Sequence, residues 1–146
     1  MAIIRLCEPL SRKSLWIAAL SELIGTFLLV FVGVGLMWIN FSHPDQNTGV
    51  SQQSKFVIAG AGFGLTVGGI VFIMGFGFPH GSAHINPAVT LGCLVLDKIT
   101  VFRAAIFVVA QCIGAIGGAF VLWSCIDNMR ATAFGCTVLS DGTSKF

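Results

Sequence analysis

The chain has 146 residues, of which 55% are hydrophobic and only 10% charged, with a formal net charge of +2. Soluble domains carry about 25% charged residues, so a water-soluble globular domain is excluded, and so small a positive balance with no basic stripe excludes a nucleic-acid-binding surface. A mean hydropathy of +0.92 with 18 glycines describes instead a multi-pass integral membrane protein whose helices pack through small residues.

Residues 1–14 form a polar head with Arg5, Arg12 and Lys13. Leu15 to Ile39 is the first apolar span, interrupted only by Ser21, Glu22 and Thr26. A basic head before an apolar run also fits a signal peptide, but this run is too long and no small-residue cleavage site closes it. An ionisable residue inside a span is costly and marks a functional site by default, which singles out Glu22. The competing reading places Glu22, about two turns into the span, at the membrane interface. Asn40 to Lys55 is a polar loop with Pro44, Asp45, Asn47 and Gly49. Phe56 to Phe76 is a second span without charge, and Gly60, Gly64 and Gly68 put small residues on one face of it.

Gly77 to Leu96, GFPHGSAHINPAVTLGCLVL, is different in kind. Its first half carries Gly77, Pro79, Gly81, His80, Ser82 and His84 and cannot be a spanning helix. Its second half opens on Asn86-Pro87, a helix start: Asn satisfies a free N–H of the first turn, and Pro is favoured at the first helical position. A helix from Pro87 to Leu96 rises only about 15 Å, against a hydrocarbon core of about 30 Å. The spacing therefore predicts a re-entrant loop and half-helix over 77–96. Irregular backbone at that depth must be buried in protein or line a wet cavity. Carbonyls from Gly81 to His84 are then available to accept hydrogen bonds, the Asn86 amide to donate them, and the positive end of the half-helix to reject cations. A His80–His84 metal pair is disfavoured, because Pro79 and Gly81 break helical spacing.

Asp97 to Arg103 is a short connector, Ala104 to Ile126 a third uncharged span, and Asp127 to Phe146 a polar tail. Gln111 is a polar group in an apolar run and needs a partner, and Gly114 and Gly118 form a second small-residue pair. Cys7, Cys93, Cys112, Cys125 and Cys136 have neither metal-ligand spacing nor the arrangement of a disulfide framework. No nucleophile–base pair and no phosphate loop is present, so neither an enzyme nor a cofactor is expected. Arg5, Arg12, Lys13, Lys98 and Arg103 fall on one side of the membrane, Lys55, Arg130 and Lys145 on the other. That bias puts the N-terminus in the cytoplasm, with the re-entrant loop entering from the cytoplasmic face.

SAHINPAVTLG, residues 82–92, closely resembles the first Asn-Pro-Ala signature of the aquaporins, the major intrinsic protein family. Glu22-Leu-Ile-Gly-Thr26 with Phe27 to Phe31 resembles the family's first span, and Ala110 to Ala119 its third. The resemblance implies an all-α membrane protein: three transmembrane helices plus one re-entrant half-helix, the first half of an inverted repeat. It implies that Asn86, Gly81, Ser82, Ala83 and His84 line a pore and that Pro87 and Ala88 support its loop. Glu22 would brace the loop near His84, and Gln111 would meet a second re-entrant loop. For the outer selectivity filter, counting back from Asn86 without gaps gives Thr66, while the phrase Phe63-Gly-Leu matches at a three-residue offset. The second Asn-Pro-Ala and the filter's arginine are absent from the sequence, which holds one half of the repeat, and Cys136 to Phe146 resembles the start of the connector between halves.

The function implied is passive conduction of water, and of glycerol or other small neutral solutes, by a plasma-membrane homo-tetramer of the full-length protein. An alternative is a non-conducting subunit that co-assembles with full-length channels. A third, an unrelated transporter fragment with a midplane site, is opposed by the signature.

Overall fold

Every regular element among the described residues is helical. The computed structural model describes residues 13–41, 51–77 and 80–126. Arg5, Cys7, Arg12, Pro44, Pro79, Arg130, Cys136 and Lys145, with the tail 127–146, lie outside them. Helix α1 (Lys13–Leu28) runs through a π-helical stretch (Leu29–Val34) into α2 (Gly35–Phe41). Helix α3 (Gln52–Phe72) ends in a second π-helical stretch (Ile73–Gly77), and α4 (Pro87–Val95) and α5 (Val101–Cys125) follow. Among the described residues, three stretches are long and apolar enough to cross a membrane: Lys13–Asn40, Gln53–Gly77 and Val101–Cys125.

The second and third helices begin about a turn before the apolar runs that start at Phe56 and Ala104. The cause is capping. Ser51 accepts a hydrogen bond from the Ser54 amide at 3.2 Å, and Thr100 accepts one from the Arg103 amide at 3.1 Å. Each hydroxyl satisfies an N–H that the first turn leaves open, so polar residues that read as loop are already helix.

Helices α1 and α5 form the best-buried pair. Leu15, Ala18, Ser21, Glu22, Gly25 and Thr26 make the inward stripe of α1, and Ala104, Phe107, Ala110, Gln111, Gly114 and Gly118 that of α5. Leu15 and Ala18 cluster with Phe107 near the starts of both helices, and Leu122 reaches Gly35 near their far ends. The two therefore run parallel. Their closeness depends on glycine. A Cβ on Gly114 would collide with the Leu23 carbonyl oxygen, and one on Gly118 would lie 2.5 Å from the Phe27 carbonyl oxygen.

Helix α3 runs the other way. Phe63 lies on Gly33, Leu36 beside Gly62, and Ile70 near Gly25. Its end, with Ile70 and Met74, packs against Ile85 of the loop and Leu28 and Leu29 of the first span. Gly60, Gly64 and Gly68 meet no helix among the described residues. Each is exposed, and a Cβ there would meet nothing within 4 Å. Of the two small-residue stripes only the one on α5 finds a helix among the described residues, because α3 leans on the first span through Gly62 and Ala59 rather than through that face.

This asymmetry gives a test. Gly114→Ala should lower the stability of the chain in bilayer mimetics by about 1–3 kcal/mol, the usual cost of overpacking a tight contact. Gly60→Ala should leave stability unchanged or raise it by up to about 1 kcal/mol, the difference in helix propensity. Equal losses in reversible unfolding would contradict the packing described.

Candidate functional site

The half-helix starts where Asn86-Pro87 places it. Asn86 is extended, with φ −155° and ψ 125°, and its side-chain oxygen accepts the Ala88 amide at 2.8 Å. Pro87 opens the helix and Leu96 closes it after nine residues, a rise of about 14 Å. Capping commits the Asn86 oxygen, so its amide nitrogen, on an exposed residue, has no partner among the described residues. The carbonyls of Gly81, Ser82, Ala83 and His84 likewise accept no hydrogen bond among the described residues.

The loop before it is tied to α1 by one side chain. Glu22 is 0% exposed. Its Oε1 accepts the Ser82 hydroxyl at 2.5 Å and the His84 amide at 2.7 Å. Its Oε2 accepts the Ile85 amide at 2.6 Å and the Gln111 side-chain nitrogen at 2.8 Å. None of these donors is a cation; the carboxylate is held by neutral hydrogen bonds alone. Bonds to a charged group contribute about 1.5–3 kcal/mol each, and a buried carboxylate without them would be very costly. Burial and these four bonds rule out the interfacial reading of Glu22. Counted from Lys13, Glu22 lies about 13 Å along the span Lys13–Asn40, roughly a third of its length, so the loop meets α1 well inside the span.

A second set of contacts fastens the half-helix to α5. Gln111, 1% exposed, donates from the same nitrogen to the Thr90 hydroxyl at 2.9 Å. Thr90, 0% exposed, lies 3.1 Å from Nδ1 of His84 and 3.2 Å from the Asn86 carbonyl oxygen. The His84 ring stands edge-on to Phe107, centroids 5.4 Å apart, and Arg103 lies over the Phe107 ring. Gln111 Oε1 is buried without a partner among the described residues.

The arrangement can therefore hold an irregular backbone rigidly and offer a short row of acceptors beside one donor at a positive helix end. Residues 9–146 match the family described as major intrinsic protein. The chain belongs to the major intrinsic protein family. It is 31% identical to Aquaporin-1 of Homo sapiens over 140 residues, covering 96% of this chain and 50% of that protein. It is 29% identical to Aquaporin FA-CHIP of Pelophylax lessonae over 143 residues, covering 95% of this chain and 51% of that protein. The chain thus spans about half the length of the curated relatives it matches, as one half of an inverted repeat would.

Of the residues named from the sequence, the structure gathers Glu22, Ser82, His84, Asn86 and Gln111 into one network. Ala83 packs with Ile85 on Ile70 and Met74. The Gln111 nitrogen is taken by Glu22 and Thr90 of this same half, which leaves its buried oxygen for a further partner. Thr66 donates to the Gly62 carbonyl of its own helix at 2.8 Å, and Phe63 lies on Gly33 of the first span. Neither is joined to the loop. His80 is exposed and takes a positive φ of 62°.

Three contributors carry no obvious mark in the sequence. Thr90 is one, although its position four residues after Asn86 puts its hydroxyl back at the Asn86 carbonyl. Ile85 is another, with a φ of 45° that a β-branched residue rarely adopts. Gly25 is the third: a Cβ there would lie 2.8 Å from Ile85, so only glycine leaves room for the loop.

Glu22→Gln keeps the shape but turns one acceptor into a donor facing donors. It should cost at least one charged hydrogen bond, about 1.5–3 kcal/mol, and Glu22→Ala should cost more. Unfolding in lipid or detergent checks the order. Wild-type stability in Glu22→Ala would remove the brace from this account.

Proposed function

We propose that this chain forms one half of a membrane pore that passes water, and small neutral solutes such as glycerol, passively. The observation that carries the reading is the Asn86 amide. Its oxygen is consumed by capping, so its nitrogen is left to donate to a passing oxygen at the positive end of a half-helix. The unpartnered carbonyls of Gly81 to His84 then accept from the same molecule on its way. A neutral solute that both donates and accepts exchanges water for these groups at little cost, whereas a cation meets the helix end unfavourably. In this reading Pro87 and Ala88 shape the first turn, and Thr66 is the second span's contribution to a filter completed elsewhere.

The same reading places the assembled protein in the plasma membrane as a homo-tetramer with the N-terminus in the cytoplasm. The parallel course of α1 and α5 supports the orientation, since it puts Lys13, Lys98 and Arg103 at one membrane face. A second reading, a non-conducting subunit that pairs with whole channels, is favoured by the uncovered face at Gly60, Gly64 and Gly68.

Flux separates the two. In proteoliposomes under an osmotic step, the full-length protein should accelerate shrinkage and residues 1–146 alone should not. Asn86→Ala in the full-length protein should reduce permeability per folded channel, while the lost cap lowers stability by only about 1 kcal/mol. A full-length protein at the lipid-only rate would favour the subunit reading. Orientation has its own check. An epitope inserted between Asn40 and Lys55 should label on intact cells and one between Arg5 and Lys13 should not.

A further inference from the structure

The Thr90 hydroxyl has one proton and two acceptor sites, and three polar neighbours. The roles of those neighbours can be assigned in order. A carboxylate only accepts, so the Gln111 atom 2.8 Å from Glu22 must be its nitrogen. That nitrogen carries a second N–H, and the Thr90 oxygen is 2.9 Å from it. One acceptor site of Thr90 is thereby filled.

The Thr90 proton then has two destinations. One is the Asn86 carbonyl at 3.2 Å, the backward bond a helical threonine ordinarily makes. The other is Nδ1 of His84 at 3.1 Å. If the proton goes to His84, the second acceptor site of Thr90 stays empty and the Asn86 contact is oxygen against oxygen. If it goes to Asn86, Nδ1 of His84 must itself carry a proton and donate, and all three contacts are hydrogen bonds. Thr90 is fully buried, and buried polar groups use their hydrogen-bonding capacity.

We infer that Thr90 is a positioning residue that keeps a proton on Nδ1 of His84, so that whenever the ring is neutral it is the Nδ1–H tautomer with a bare Nε2. The chain of control runs from Glu22 through Gln111 and Thr90 to the imidazole, with the ring plane set by Phe107 at 5.4 Å. The half-buried His84, when neutral, then adds a lone pair, not an N–H, to the polar atoms of the loop. Its bearing on solute passage rests on the conduction reading, but the tautomer itself does not.

The test needs no flux. The protein, labelled with nitrogen-15 histidine, is reconstituted in bilayers at pH about 8.5, above the ordinary histidine pKa of about 6.5. Solid-state NMR reads both ring nitrogens of His84, assigned through its backbone links to Ala83 and Ile85. The wild type should show a protonated Nδ1 and a bare Nε2. Thr90→Ser, which keeps the hydroxyl, should show the same. Thr90→Val, which keeps the shape but removes the acceptor, should turn the Nδ1–H form from majority to minority. A neutral wild-type ring with its proton on Nε2 would overturn the inference. So would a Thr90→Val chain with wild-type populations. Should Thr90→Val fail to fold, the wild-type and Thr90→Ser spectra still decide. A correct tautomer with no flux would fault the conduction reading alone, and flux with the wrong tautomer would fault only this one.

Discussion

A single carboxylate holds the loop in place. Glu22 sits inside an apolar span, roughly a third of the way along it, where a charge without partners is very costly. The cost is met by donors from two separate places: the loop, with the Ser82 hydroxyl and two amides, and α5, with the Gln111 nitrogen. Each donor is neutral, so no cation is among the partners of Glu22. Fold and site are the same interaction here. Removing the carboxylate would strand two backbone amides and cut the hydrogen-bonded tie of the loop to α1.

That arrangement needs helices unusually close together, and the small residues supply the closeness. Gly114 and Gly118 bring α5 onto the backbone of α1, which lets a side chain as short as glutamine reach Glu22. Gly25 does the corresponding work for the loop by admitting Ile85. In a membrane there is little hydrophobic drive between helices, so close backbone contact and polar bonds across it carry the association. Both are present on the α1–α5 face and neither on the outer face of α3.

Much of this is legible in the sequence, for physical reasons particular to each residue. Asn86-Pro87 announces its helix because capping chemistry is local. Glu22 and Gln111 announce themselves because polar groups in apolar runs require partners, though the sequence does not say which. Gly60, Gly64 and Gly68 have the same spacing logic as Gly114 and Gly118, yet spacing cannot tell which stripe meets a helix. The caps Ser51 and Thr100 sit inside polar runs and read as loop. The π-helical stretches at Leu29–Val34 and Ile73–Gly77 leave no compositional trace, since a shift of backbone pairing depends on what packs outside. Thr90 looks like any helical threonine until His84 and Gln111 are brought to it.

The least legible feature explains the rest of the loop. In an extended strand successive amides point to opposite sides, so one carboxylate cannot receive two in a row. His84 and Ile85 nonetheless both donate to Glu22. Consecutive N–H groups facing one anion form a nest, as in other loops. The torsions that relate those two amides are His84's own, so its backbone departs from the extended form, and Ile85 follows with a positive φ of 45°. For a β-branched residue that conformation costs about 1–3 kcal/mol. Two hydrogen bonds to a charged group, at about 1.5–3 kcal/mol each, exceed it, and the Ile85 side chain adds burial against Ile70 and Met74. With its amides drawn toward Glu22, the loop has carbonyls at Gly81 to His84 that no described residue engages. The bonds to Glu22 thus use amides of the loop and leave the carbonyls of Gly81 to His84 and the Asn86 side-chain nitrogen without a partner among the described residues.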